Sequence, residues 1–383
     1  MRRIRSGSTI SLLVLLAASC GGAAPSWTPS RVVPADEPRM RVLLFEGRDE
    51  IAVSDPQTAR DIVRVSVVAG QGLRVNGGPV ARHWRLTGHR GPVEVEGIRV
   101  RGGVEVIASR DPDRPAGLMV INDIPLELYL AGILAREMYG SWGREALQAQ
   151  AVASRTYAVQ QREARRDEPW HVSASTQSQV YAGVEAEAPA VWAALAATRG
   201  EVLAYQGVPI LAAFHSSSGG WTASSEEVWG EARDYLVSVE VADEWDSPDS
   251  YWRAPVSRTT LGRAAAAVAE DVGEIVRARV TERSGSGRAI RLELVGEKGT
   301  VSLGARYLRS ALGESILKST LFELLEDEEG FVFVGAGSGH GVGMSQWGAR
   351  AMARRGDDYR EILSAFYPGT TITKPLGERG ETR

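Results

Sequence analysis

Two alanine- and leucine-rich segments between residues 125 and 164 constrain the fold more than any other part of this sequence. Apolar and small residues recur there at the three- and four-residue spacing of a helix face. They are Leu126, Leu130, Ile133 and Leu134 in the first segment, and Leu147, Ala151, Ser154 and Ala158 in the second. Alanine is the best helix former, and its small side chain lets another helix or a ligand approach closely. We therefore predict two helices joined by the stretch YGSWG.

Short strands are predicted on both sides of this helix pair. Residues 40–122 contain short, often alternating runs separated by Gly, Asp or Pro, a pattern typical of an antiparallel sheet or small sandwich. Strand and helix patterns then alternate to residue 373, with SSEEVWG placed in a polar, strand-rich segment. The predicted fold class is α+β, with mixed helices and antiparallel sheets and a β-rich N-terminal region.

The first twenty residues have the three-part layout of a bacterial export signal. Arginines at positions 2, 3 and 5 precede an apolar run from Ile10 to Leu16, which is too short to span a bilayer, and small residues follow. AASC resembles the lipobox of lipoproteins, so we predict a signal peptide over 1–19, a lipid on Cys20 and a tether over 20–39. The alternative is an ordinary secretory signal with an incidental cysteine.

These features predict an exported protein held by its lipid at the periplasmic face of the envelope. Gly21 follows the cysteine in place of the Asp that often signals inner-membrane retention, which favours the outer membrane.

Composition excludes several classes of site. The formal net charge of −4 leaves no broad basic face for nucleic acid. A single cysteine excludes internal disulfides and cysteine-based metal sites, and no HExxH motif is present. We predict neither a metal nor a cofactor.

Three polar, glycine-rich segments combine hydrogen-bonding side chains with aromatic rings: STQSQVYAG, HSSSGGWTASSEEVWG and GHGVGMSQWG. Carbohydrate sites use this mixture, and glycine lets the backbone approach a ligand, although tight loops have the same composition. The candidate ligand-binding residues are Gln177, Gln179, His215, Ser216, Ser217, His340 and Gln346. HSSSGG lacks the G-x-S-x-G elbow of a serine hydrolase.

Two charged residues stand out on the predicted helices. Glu137 ends the first helix beside an apolar stripe, which would raise the pKa of its carboxyl and suit it to general acid catalysis. A solvated helix-end glutamate is the alternative. Arg155 occupies the middle of the alanine-rich helix and needs an acceptor, which either bound substrate or a structural carboxylate could supply. Glu127 and Glu145 are interpreted as surface residues.

Taken together, these motifs resemble the sporulation stage II protein D family, which includes the LytB amidase enhancers. The resemblance is carried by INDIPLELYLAGILAREMYGSWGREALQAQAVASRTYA, STQSQVYAG, HSSSGGWTASSEEVWG and GHGVGMSQWGARAMA, and extends over about residues 40–373. It implies two lobes, 123–250 and 251–373, around a glycan cleft, with a tail over 374–383.

The resemblance implies a peptidoglycan lytic transglycosylase that prefers strands stripped of stem peptides and forms 1,6-anhydromuramic acid ends. The family's catalytic glutamate falls on Glu137 and its motif arginine on Arg155, with His340 and Gln346 near the glycan. Some relatives carry zinc ligands near STQSQVYAG, where this chain has Ser178 and Gln179, so no metal is transferred. The alternative is a non-catalytic wall-binding protein that stimulates an N-acetylmuramoyl-L-alanine amidase.

Overall fold

Short alternating runs near the N-terminus form strands, as predicted. The computed structural model describes residues 37–54, 62–87, 91–109, 111–174 and 181–374. The strands up to residue 125 are β1 Arg39–Arg48, β2 Glu50–Ser54, β3 Val63–Val68, β4 Gly72–Val75, β5 Val80–Ala81, β6 His83–Leu86, β7 Val93–Val95, β8 Ile98–Val100, β9 Gly103–Ala108 and β10 Leu118–Pro125.

These strands belong to two sheets. One has the order β5-β4-β3-β2-β7-β8, and all of its neighbours are antiparallel. The other contains β1, β10, β9 and β6 in that order, also antiparallel. Buried valines on both sheets, such as Val65, Val93 and Val106, pack into one apolar cluster with the first helices. The sheets therefore form the support on which the helix pair rests.

The helix pair is present, but its first member is broken. The helices are α1 Leu126–Ala131, α2 Leu134–Glu137 and α3 Arg144–Ala164, with a 3₁₀ turn at Gly140–Trp142. The prediction of one continuous first helix is wrong. The ring of Tyr181 packs so close to Gly132 that a Cβ there would lie 2.5 Å from Cε2 of the tyrosine. The predicted stripe on α3 is confirmed, since all four of its residues are buried.

The next part of the chain mixes short strands with helices. Its elements are β11 Val172–Ser173, α4 Pro189–Ala197, β12 Val202–Tyr205, β13 Val208–Pro209, β14 Phe214–His215 and α5 Ser225–Trp229, with 3₁₀ turns at Gly183–Ala186 and Glu244–Asp246. The strand interpretation of SSEEVWG is wrong, because this segment is α5. Ser224 and Glu227 form a reciprocal capping box, and Gly230 ends the helix at φ 79°.

The C-terminal part completes the α+β fold, which is confirmed. Its elements are β15 Trp252–Ser257, α6 Arg258–Val268, β16 Ile275–Arg283, β17 Ala289–Gly296, β18 Gly299–Gly304, α7 Ala305–Leu312, β19 Phe322–Glu326, β20 Gly330–Gly335, β21 Met344–Ser345, α8 Gln346–Arg355, α9 Tyr359–Phe366 and β22 Thr371–Thr373. The antiparallel sheets β15-β20-β19 and β16-β17-β18 pack with α6 and α7 around their own apolar cluster. The arrangement of two lobes around a glycan cleft stays a prediction.

A central apolar cluster joins distant parts of the chain. It combines Ala149 and Val152 of α3 with residues 210–213, with Val342 and Met344, and with Phe366 of α9. The parallel pairing of β14 with β21 crosses this cluster, with Phe214 opposite Met344. No helix in the described part of the chain is both long enough and apolar enough to cross a membrane.

We predict that Gly343→Ala destabilises the protein by more than about 2 kcal/mol. Gly343 has φ 72°, and a Cβ there would lie 2.0 Å from the carbonyl oxygen of Ala213, so steric overlap adds to the left-handed strain of about 1–2 kcal/mol. Gly356→Ala is the control, because Gly356 has φ 102° in open space. Urea unfolding would give both values. Equal losses would show that the close approach to Ala213 contributes nothing.

Candidate functional site

Glu137 lies half-buried at the end of α2. Its charge acts on two tyrosines. Burial raises the pKa of Tyr129, and Tyr157 and Glu137 raise it further. Burial also raises the pKa of the Tyr157 phenol. Arg165 lowers this pKa, and Glu137 raises it further. The Glu137 carboxyl group is therefore close enough to both phenols to act on them electrostatically.

An aromatic surface follows directly after Glu137. The Tyr139 side chain is 69% exposed, and its ring centroid lies 5.6 Å from that of Trp142. The Trp142 ring in turn lies 4.5 Å from the ring of Trp347, and the Arg350 guanidinium covers both indoles at 5.5 and 4.7 Å. We call these four residues the aromatic platform. It connects the Glu137 segment to the GHGVGMSQWG segment.

The two histidine-containing segments are brought together by backbone pairing. His215 lies opposite Ser345 in the parallel β14–β21 pair, and the His215 and His340 ring centroids are 5.6 Å apart. Nδ1 of His215 lies 3.2 Å from the carbonyl oxygen of Val342, and its Nε2 lies 3.1 Å from Oγ of Ser218. Nδ1 of His340 accepts a hydrogen bond from the Val342 amide at 3.0 Å. Both imidazoles are therefore held by the loops that carry them.

Burial controls the charge of both histidines. It lowers the pKa of His215 well below its ordinary value, and His340 and Arg288 lower it further. Burial lowers the pKa of His340 to about 4, assisted by Arg309 and Arg288 and opposed by a hydrogen bond with Phe214. Both rings are therefore neutral at pH 7 and carry no charge that would attract an anion.

Glu244 fixes the HSSSGG segment, which we call the serine loop. Its carboxylate accepts backbone hydrogen bonds from Ser218 and Gly219 at 3.0–3.1 Å and one from the Ser345 hydroxyl. Because the acceptor is charged and buried, each of these bonds is stronger than a neutral one. The carboxylate thereby ties the HSSSGG segment to the start of α8.

The remaining predicted loop residues lie in this same region. The carbonyl of half-buried Ser216 accepts the Trp347 amide at 3.0 Å. Ser217 is buried, and its Oγ has no hydrogen-bond partner among the described residues. Gln346 is buried, and its Nε2 donates to Oε1 of Gln150 on α3 at 3.4 Å. The structure thus brings His215, Ser216, Ser217, His340 and Gln346 together.

Arg155 does not belong to this group. Its side chain is 0% exposed, and its guanidinium makes a bidentate ion pair with Glu127 at 2.7 and 2.8 Å. Nη1 also donates to the carbonyl of Glu201 at 3.2 Å. The structural carboxylate is therefore the correct alternative, and the substrate-binding role predicted for Arg155 is wrong. The surface interpretation of Glu127 is also wrong, because its carboxylate is buried with this arginine.

Three predicted site residues, Gln177, Gln179 and Cys20, lie outside the residues that the structure describes. Across the described residues, no three His, Cys, Asp or Glu side chains come together in a way that could hold a metal ion.

A groove of about 820 Å³ opens beside His340. Trp229 and Tyr307 line it together with several arginines, whereas Glu137 is not part of its wall. The groove is therefore distinct from the aromatic platform that follows Glu137. The GHGVGMSQWG segment contributes to both, through His340 in the groove and Trp347 in the platform.

Sequence reasoning missed the residues around Glu137. Tyr157 could have been found, since Gln150, Ser154 and Tyr157 recur at helical spacing on α3 and place polar groups on an otherwise apolar face. The aromatic platform could not have been found, because Trp142 and Trp347 are 205 residues apart in the chain and share no sequence pattern.

Comparison with known proteins identifies the family. The SpoIID family model, described as stage II sporulation protein, matches residues 115–205. Stage II sporulation protein D of Bacillus amyloliquefaciens is 31% identical over 276 residues, which cover 66% of this chain and 76% of that protein. The chain belongs to the stage II sporulation protein D family. Residues 249–343 match a domain of unknown function, DUF8618.

Two further relatives extend the comparison. An uncharacterized protein of Brachyspira hyodysenteriae is 32% identical over 302 residues, 79% of each chain. The amidase enhancer of Bacillus subtilis is 31% identical over 290 residues, which cover 64% of this chain and 40% of that longer protein.

We predict that Glu127→Ala destabilises the fold by about 3–5 kcal/mol, because it leaves the Arg155 guanidinium buried without its counter-ion. Glu163→Ala is the matched control. It breaks a surface pair with Arg166 whose side chains are more than 60% exposed, so little should change. Denaturant unfolding followed by circular dichroism measures both. An unchanged midpoint for Glu127→Ala would show that the pair does not stabilise the core.

The histidine shifts predict loss of stability in acid. A neutral His340 favours the folded state, because its pKa falls from 6.5 to about 4 on folding. Stability is therefore complete above about pH 6.5 and decreases as the pH falls toward 4, by up to about 3 kcal/mol from this group.

His340→Asn keeps an acceptor for the Val342 amide and should reduce this acid dependence, with His171 and His215 contributing the remainder. The control His83→Asn removes an exposed histidine of β6 and should keep the wild-type slope. Thermal unfolding between pH 4 and 7.5 tests this. If His340→Asn loses stability in acid as steeply as wild type does, the assignment is wrong.

Proposed function

We propose that this protein is a lytic transglycosylase that cleaves the bond between N-acetylmuramic acid and N-acetylglucosamine in peptidoglycan glycan strands. One observation carries the proposal. Glu137, which matches the family's catalytic glutamate, is half-buried, acts electrostatically on two tyrosines and stands directly before the aromatic platform, of which Tyr139 is exposed. An acid next to flat aromatic rings is the arrangement that a sugar-cleaving site requires.

In the proposed reaction, the Glu137 carboxyl donates its proton to the oxygen that links muramoyl C1 to the next sugar. The C1–O bond breaks, and its electron pair stays on that oxygen, which becomes the free hydroxyl of the leaving N-acetylglucosamine. The carboxylate then accepts the proton of the muramoyl 6-hydroxyl while O6 bonds to C1. This step closes the 1,6-anhydro ring and returns Glu137 to its protonated form.

This route uses one carboxyl group because the substrate supplies its own nucleophile, whereas most glycosidases use two carboxylates. The nearest side chains have matching proposed roles. Tyr139 and Trp142 pack against sugar faces. The Gln346 side chain, which donates to Gln150 on α3, holds the start of α8 in position. Because His215 and His340 are neutral, neither acts as a charged group in proton transfer.

A second function is favoured by one of the relatives. The amidase enhancer of Bacillus subtilis suggests a wall-binding protein that stimulates an N-acetylmuramoyl-L-alanine amidase. The aromatic platform suits glycan binding in this case too, and Glu137 would then serve binding only. The two functions predict different results when Glu137 is changed.

Location is part of the proposal. A protein that acts on wall glycan must be exported, and residues 1–19 are typical of an export signal that is removed before Cys20. We propose a lipid on Cys20 that holds the folded part near its polymeric substrate, with the outer membrane favoured.

We predict that Glu137→Gln reduces the formation of 1,6-anhydro ends by at least about 100-fold, because the amide cannot donate the required proton. The measurement is mass spectrometry of products from purified glycan strands without stem peptides. Glu163→Gln is the matched control, since it neutralises an exposed glutamate on α3 and should retain full activity. Circular dichroism would show that both variants remain folded.

Three other results would support a different function or a different acid. Products with reducing ends and no anhydro ring would mean that water is the nucleophile and that the protein is a hydrolase. An active Glu137→Gln variant would remove Glu137 from the chemistry. If wild type forms no product but binds strands and increases amidase turnover, the enhancer function is correct.

A further inference from the structure

The groove beside His340 has a marked excess of positive charge. Its wall contains four arginines and two glutamates: Arg288, Arg291, Arg306, Arg309, Glu227 and Glu314. Both glutamates already have partners. Glu314 accepts from Arg309 at 2.8 Å, and Glu227 accepts from the Ser286 hydroxyl at 2.8 Å. Among the described residues, Arg309 is therefore the one groove arginine that forms an ion pair with a groove glutamate.

Arg288 is the most unusual of these residues. It is 2% exposed, and Nη2 donates to the carbonyls of Ser218 and Trp221 at 2.8 and 3.2 Å. Nε and Nη1 are buried without a hydrogen-bond partner in the described part of the chain. A guanidinium buried in this way is unfavourable unless an anion compensates its charge. The nearby Glu227 and Glu244 carboxylates compensate part of this charge, since both raise the pKa of Arg288 against the effect of burial.

Arg306 and Arg291 present charge at the groove surface. Both are exposed, and Arg306 donates to the carbonyl of Val228 and to the Tyr307 hydroxyl at 3.2 and 3.1 Å. Among the described residues, no carboxylate pairs with Arg306. Arg291 has only a distant one, since its Nε lies 3.7 Å from Oε2 of Glu282. Guanidinium groups recognise carboxylates by paired hydrogen bonds, so both arginines are available to an acidic ligand.

Two exposed rings line the same groove. Tyr307 is 54% exposed and Trp229 is 37% exposed, and the Trp229 ring centroid lies 5.5 Å from that of His340. Exposed aromatic faces offer a stacking surface for a sugar ring, and the neutral His340 adds a polar edge. Rings and guanidinium groups in one groove suit a ligand that combines sugar faces with carboxylates.

We propose that this groove binds a carboxylated oligosaccharide, with Arg306 and Arg291 contacting its carboxylates and Trp229 and Tyr307 its sugar rings. The inference rests on the proposed action on wall glycan, in which each muramic acid carries a lactyl group. In a strand without stem peptides that group is a free carboxylate, and in a substituted strand it is an amide without charge. The arginines are therefore specificity determinants for stripped strands.

The carboxylates could also come from stem peptides, and the test separates the two sources. Binding is measured by fluorescence anisotropy of labelled strands in a Glu137→Gln background, so that cleavage cannot consume the ligand. Three probes share one sugar backbone: stripped strands with free lactyl carboxylates, strands that retain stem peptides, and chitohexaose, which has no acidic group. Poly-glutamate serves as an anion without sugar rings.

Stripped strands should bind at least about tenfold more tightly than either of the other two saccharides and than poly-glutamate. Arg306→Gln and Arg291→Gln should each weaken that binding about tenfold, as expected for the loss of one charge-assisted contact. Neither variant should change the affinity for chitohexaose. Arg277→Gln on β16 removes an exposed arginine outside the groove and should bind as the parent protein does.

Three results would overturn the proposal. Equal binding of stripped strands and chitohexaose would show that the carboxylate is not recognised. Tighter binding of peptide-bearing strands would assign the arginines to stem-peptide carboxylates, and equal binding of poly-glutamate would make the groove a general anion site. Because binding is measured without catalysis, a loss of binding in the arginine variants would support the groove even if the wild-type protein cleaves nothing. If the protein forms anhydro products but the arginine changes do not affect binding, only the proposed function is supported.

Discussion

The parallel pairing of Phe214–His215 with Met344–Ser345 is the contact on which the arrangement of this protein depends. It joins two segments that are 130 residues apart in the chain and places His215, His340 and Gln346 within one region. Two paired residues on each side would not hold alone. The buried Glu244 carboxylate accepts hydrogen bonds from the serine loop and from Ser345, and thereby fixes both segments at once. The pairing thus explains how two segments so far apart in the chain come to lie side by side.

Local sequence patterns predicted those elements whose stability is itself local. The helix α3 has a long periodic stripe of small residues, and the α+β mixture follows from helical and alternating apolar patterns that each segment carries in its own sequence. The capping box of α5 was present as Ser224 and Glu227, but the surrounding polar residues hid it. The break after α1 falls at Gly132, where the ring of Tyr181 packs closely, and helical spacing alone does not reveal this contact with a residue some fifty positions further along the chain.

The candidate site divides in the same way. Glu137 and the loop histidines were found because their residue types and glycine-rich context point to chemistry. Arg155 was misassigned as substrate-binding because spacing alone does not show that Glu127 turns inward to meet it. The groove beside His340 was missed altogether. Arg288 and Arg291 lie at β17 and Arg306 and Arg309 on α7, and only the packing of these elements brings their charges together.

The antiparallel contact between Trp252 and Gly335 has a consequence for how this protein could have evolved. They are direct neighbours across β15 and β20, and the residues from Trp252 to Phe333 supply a separate apolar cluster. The intervening 82 residues therefore leave the central body and return to it at almost the same place. Such a module can be exchanged, lengthened or lost while the rest of the architecture keeps its connections. This part of the chain also matches a different family model from the one that matches residues 115–205.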